Sequence, residues 1–219
     1  MEQFDKSAMM FDEVKSQWAV LFGAEHINTL KATNNLGRIL QKLGRLSEAE
    51  QEILAALAAR QSTLGEKHID SIRSMIDLGG VYLEQKRLPE AETQLIAALS
   101  FAETELGNLH PYTFEALNYL AQTILASGQT QAAVDLMEIG FKRRSQFFDT
   151  MLWTTGENAR EGYVRLHRPE FNNYLAILAR INDEKSAKRA IDASLQRKGL
   201  LLKVTSEIQQ IASMTTDPE

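Results

Sequence analysis

Leu64-Gly65-Glu66-Lys67-His68-Ile69-Asp70-Ser71 decides how this chain folds, because the same pattern returns on either side of it. Phe22-Gly23-Ala24-Glu25-His26-Ile27-Asn28-Thr29 precedes it by 42 residues, and Leu106-Gly107-Asn108-Leu109-His110-Pro111-Tyr112-Thr113 follows it by 42. Each copy has a glycine, a histidine three residues later, and a Thr or Ser three residues after that. Working outward at the same offset, three segments align without a gap: 29–70, 71–112 and 113 to about 149, where the match decays. Leu36, Leu78 and Leu120 fall in register, as do Ala49, Ala91 and Ala133. Internal symmetry therefore sets the architecture before any propensity is weighed.

Each unit reads as two helices. The first, about 29–43 in the first unit, carries Leu30, Leu36, Ile39, Leu40 and Leu43 at helical spacing and stops at Gly44, with Gly128 at the same place in the third unit. The second is expected to start at Ser47-Glu48-Ala49-Glu50, a capping box in the first unit, and at Pro89 in the second. It runs through Ile53, Leu54, Leu57 and Leu64, and through Leu95, Ile96, Leu99 and Leu106. Ala49/Ala91/Ala133 and Ala56/Ala98/Gly140 on the second helix, and Gly37/Gly79/Ala121 on the first, predict a close helix–helix approach.

Leucine followed by a small residue on the first helix, with paired alanines on the second, resembles the tetratricopeptide repeat, whose common form repeats about every 34 residues. The longer period here, the Leu-Gly-x-x-His-x-x-Thr/Ser linker and the string Asn34-Asn35-Leu36-Gly37 are similar to the kinesin-light-chain type. The resemblance implies an all-α solenoid of helix-turn-helix units. Residues 4–22 align with the second helix of a unit, so 1–28 read as a half repeat or N-terminal cap, 29–149 as three repeats and 150–219 as a helical connector. Phe4, Met9, Met10, Phe11 and Trp18 make that half repeat apolar for a terminal unit. A covering partner or self-association through it is the expectation, which light scattering checks.

The connector reads as helices over about 156–167, 170–182 and 184–212, with a break at Pro169. Between Arg160 and Lys203 it has ten basic and five acidic side chains, in a chain of net charge −5. Trp153-Thr154-Thr155-Gly156-Glu157-Asn158-Ala159-Arg160, Tyr163, Asn173-Tyr174-Leu175-Ala176 and Gln196-Arg197-Lys198-Gly199-Leu200-Leu201-Leu202 resemble the connector between tetratricopeptide repeats and a CHAT domain, a caspase-like cysteine peptidase. That resemblance implies a regulatory N-terminal region of a CHAT-type protease. A free-standing adaptor with no protease in cis is the alternative.

The chain contains no cysteine, which excludes disulfides, thiolate metal sites and a cysteine nucleophile within these 219 residues. No Gly-rich phosphate loop, His-Glu-x-x-His or serine nucleophile turn occurs, so no catalytic, cofactor or metal site is expected. No apolar run reaches the roughly 20 residues that cross a bilayer, and the start lacks a basic then apolar leader; a cytoplasmic protein is expected. The histidines of the linker are read as bracing the turn into the next helix, because a spacing of 42 spreads them over separate units. Lys142-Arg143-Arg144 lacks interleaved aromatics, and the pI near 5.5 disfavours nucleic acid. Glu157 and Arg160 read as a helix surface pair, and His167 as structural.

The resemblance places the partner site in a concave groove lined by first helices. It maps to Lys31, Asn34, Arg38 and Gln41 in the first unit, Arg73, Ile76, Leu83 and Glu84 in the second, and Glu115, Asn118, Gln122 and Leu125 in the third. Asn34 and Asn118 suit a main-chain clamp, since an amide both donates and accepts. Lys31, Arg38 and Arg73 suit an acidic segment. Asn34→Ala with Asn118→Ala is accordingly expected to weaken docking and leave the melting temperature nearly unchanged.

Overall fold

The computed structural model describes residues 2–152, 168–181 and 183–195, all helical apart from short connections. The helices are α1 (Glu2–Phe22), α2 (Ile27–Lys42), α3 (Leu46–Leu64), α4 (Ile69–Glu84), α5 (Leu88–Glu105), α6 (Pro111–Ala126), α7 (Thr130–Leu152), α8 (Arg168–Ile181) and α9 (184–195). Among the described residues no helix is long and apolar enough to cross a membrane. Contacts divide the chain into two units, Met1–Ala133 and Val134–Glu219.

In the first unit, helices adjacent in sequence pack as antiparallel hairpins, and α4 also contacts α2 and α6. The small residues do what their spacing predicts. A Cβ added at Gly37 meets Ile53 Cγ1 at 2.5 Å and the Ala49 carbonyl oxygen at 3.1 Å, and one added at Gly79 meets Leu95 Cγ at 2.5 Å. Ala49, Ala56, Ala91 and Ala98 are wholly buried, with Ile53, Ile72, Leu78, Val81 and Leu95 around them. The core is a line of interlocked hairpins.

The linker acts as a cap, three times over. His26, His68 and His110 each stand in extended backbone just before a first helix, and each Nδ1 accepts from the backbone N–H two residues on, at 3.3, 3.2 and 3.2 Å. The Thr29, Ser71 and Thr113 hydroxyls donate back to the carbonyls of Gly23, Gly65 and Gly107, at 2.9, 2.8 and 2.7 Å. This fixes the Gly-x-x-His-x-x-Thr/Ser spacing: one side chain satisfies an orphan N–H of the new helix while the other reaches the turn behind it.

The tighter turn inside each hairpin takes a left-handed residue: Gly44 at φ 75°, Gly128 at φ 86°, and Lys86 at φ 64° where the second unit has no glycine. The start of α3 differs from expectation. The helix begins at Leu46 with Arg45 as its cap residue, and no side chain caps it. Ser47 therefore lies inside the first turn, where its hydroxyl cannot serve as the cap of a box. Arg45 instead pairs with Glu48, and its carbonyl accepts from the Ala49 N–H. Pro89 lies in the first turn of α5, as predicted.

Helix α1 extends the pattern at its start and leaves Met9 74%, Leu21 71% and Val20 87% exposed. In the second unit, Phe141 of α7 packs on Phe171 and Tyr174 of α8, and Arg189 of α9 pairs with Asp135 and Glu138 of α7 at 2.8 and 3.1 Å. The Asp183 carboxylate caps α9 by accepting the Ser186 N–H. The break expected at Pro169 falls within the first turn of α8, a position proline tolerates. The helix expected over 156–167, with Glu157, Arg160 and His167, and the reach of the last helix beyond 195 lie outside the described residues.

Candidate partner-binding groove

The first helices α2, α4 and α6 bring groove residues together where α2 meets α4. Asn34 is 1% exposed; its Nδ2 donates to Asp77 Oδ2 at 2.7 Å, and its Oδ1 accepts from the Ser74 hydroxyl at 2.7 Å. Arg38, with a third of its side chain exposed, places Nε 3.3 Å from Asp77 Oδ1. Arg73 Nε stands 3.8 Å from Asp77 Oδ2. The Arg73 guanidinium also donates to the Tyr112 hydroxyl and lies over that ring, 5.0 Å from its centroid. Beneath them Arg60 of α3 is buried and donates to Ser74 Oγ and to the carbonyls of Asp70 and Leu30.

Asp77 is the centre of this cluster and was not among the residues expected from sequence. Its register mates are Asn35 and Tyr119, so the repeat alignment carries no sign of it; the signal was local, an Arg73–Asp77 pair four apart on one helix. Burial pushes its carboxyl up to about 6, against the opposing pull of Arg38 and the Asn34 amide. The positive end read from Lys31, Arg38 and Arg73 is thus balanced by a buried acid.

The other residues take varied places. Lys31 is exposed, and Gln41 is buried with Nε2 donating to Glu84 Oε1 at 2.8 Å. Ile76 sits in the core at 1% exposure, within the buried cluster that also holds Ile72 and Leu78, a departure from its groove assignment. Leu83, Glu115, Asn118, Gln122 and Leu125 are half-buried. Asn34 is likewise no free clamp: Asp77 and Ser74 already occupy its amide. Tyr119 fills the space a side chain at Gly80 would take, with Cζ 3.0 Å from a Cβ built there, and burial pushes its hydroxyl up to about 12.

Stacked helical hairpins with small-residue seams, capped turns and a polar row along successive first helices define an α-solenoid repeat protein. The tetratricopeptide repeat profile matches residues 1–59, 31–103 and 77–138, and the chain belongs to that family of protein-interaction modules. No curated protein matches it. Among solved structures it is similar to the nearly identical TPR-like repeats of a putative kinesin light chain from Podosopora anserina, with 22% identity, 99% of this chain and 90% of that chain covered, and a TM-score of 0.58. It is also similar to BtubC (BKLC) from P. vanneervenii, with 14% identity, 99% and 76% covered, and a TM-score of 0.61. At these identities the likeness bears on the fold.

Proposed function

We propose that α2, α4 and α6 dock an extended segment of a partner protein, and that this chain is the N-terminal regulatory part of a CHAT-type caspase-like protease. One observation carries the docking reading. Arg38, Arg73, Glu115, Asn118 and Gln122 keep polar groups half-exposed on successive first helices, while Leu36, Leu40, Ile72, Leu78, Ala116 and Leu120 of the same helices are buried in the core. Such a row offers a partner's main chain donors and acceptors without a pocket for one particular side chain. The protease setting is supported by the sequence of the connector, read as 150–219 after three repeats over 29–149.

Peptides selected from a display library on the whole chain test the docking surface. Asn118→Ala with Gln122→Ala is expected to weaken the selected peptides about tenfold with little change in melting temperature. Unchanged affinity overturns the reading. The gene downstream of Glu219 tests the setting: a domain carrying a Cys–His pair supports it, and its absence leaves the free-standing adaptor.

A further inference from the structure

We propose that Asp77 is a positioning residue for the groove: its carboxylate holds the Arg38 guanidinium, and protonation of Asp77 releases that guanidinium to a carboxylate of the docked partner. Mild acid then strengthens docking. The binding consequence rests on the docking surface proposed above; the switch itself rests on geometry.

Asp77 is 4% exposed and sits between two helices with cations on both sides. From α2 it faces Asn34 and Arg38, from α3 Arg60, from its own helix Arg73, and from α6 Glu115 and Tyr119. These neighbours do not depend on it equally. Arg60 is tied to Ser74 and two backbone carbonyls, and Arg73 to the Tyr112 hydroxyl and ring. Losing the Asp77 charge leaves those two cations held and removes the ion pair of Arg38, the member of the pair that reaches solvent.

Removal of that charge is accessible because Asp77 lies away from water and near a second carboxylate, Glu115, as its raised pKa reflects. A partner carboxylate approaching charged Asp77 must share one guanidinium with it and meets like-charge repulsion at short range. With Asp77 neutral, the same approach forms a charge-assisted pair.

The first test needs no partner. In the wild-type chain, the carbon signal of the Asp77 carboxyl and the Arg38 Nε–H signal are followed by NMR from about pH 4 to 8 and are expected to share a midpoint near 6. In Asp77→Asn the Arg38 transition is expected to vanish. An Asp77 that titrates like an exposed carboxylate, a flat Arg38 signal, or an Arg38 transition that survives the substitution and so belongs to the histidines, each overturns the switch.

The second test uses an acetylated, amidated hexaglutamate peptide. Its affinity is expected to rise roughly tenfold from about pH 7.5 to about pH 5.5 in the wild type and to be high at both in Asp77→Asn. Binding that Arg38→Ala weakens but pH leaves unchanged overturns the switch alone. No binding at any pH, or binding indifferent to Arg38→Ala, removes the assigned consequence for docking, while the NMR midpoints still decide the switch.

Discussion

Asn34 and Asn118 share a register position and meet different surroundings. Asn118 is half-buried on α6, whereas Asn34 bridges Asp77 and Ser74 between α2 and α4. Asn34→Ala leaves a buried carboxylate without its amide donor and a hydroxyl without its acceptor, and is expected to destabilise the chain by about 1–3 kcal/mol. Asn118→Ala should be nearly neutral, and chemical denaturation of the two single variants checks the contrast. Equal stabilities would mean that Asp77 finds another donor. The expectation from sequence that the pair leaves melting unchanged is therefore revised for Asn34, whose amide is engaged, and kept as a prediction for Asn118. A register position specifies a helix face, and what the face meets depends on the neighbouring repeat.

The hairpin is the element the chain repeats, and its closeness is set by glycine and alanine. Gly37→Ala improves helix propensity by up to about 1 kcal/mol, yet its Cβ falls 2.5 Å from Ile53 Cγ1 and close to the Ala49 carbonyl. Overpacking of this kind typically costs about 1–3 kcal/mol, so net destabilisation is expected in urea unfolding. A stabilised variant would show that α2 and α3 can separate freely. Both helix boundaries and seam were legible in the repeat, because capping and close approach depend on residues near in sequence. The start of α3 was not: Ser47 matched a capping pattern, but the turn of Gly44 and Arg45 had already set the helix to begin one residue earlier.

Between about pH 5 and 7.5, two groups among the described residues, His110 and Asp77, link stability to pH with opposite sign. Burial lowers the pKa of His110, whose Nδ1 must stay unprotonated to accept the Tyr112 N–H. Its contribution is complete above its ordinary value of about 6.5 and is lost as pH falls through the lower folded value. Asp77 has a raised folded pKa, so its contribution is complete below 3.8 and is lost as pH rises through about 6. On acidification from neutral, His110 weakens the fold while Asp77 strengthens it, by at most about 3 kcal/mol. Thermal unfolding between about pH 5 and 7.5 should therefore fall more steeply toward acid in Asp77→Asn than in the wild type. Parallel profiles would show that the buried carboxyl is not proton-linked to folding.

The sequence by itself determined the repeat, its period, the capped linker and the small-residue seam, because these need only residues a few positions apart and recur at a fixed offset. Only the tertiary structure decided that Asp77 sits under Arg38, that Asn34 is already engaged, and that Ile76 belongs to the core. The first two depend on how α2 and α4 face each other, since Arg38 and Asn34 reach Asp77 from a different repeat. Periodicity averages such differences away, while burial beside particular neighbours makes them the chemistry of the site.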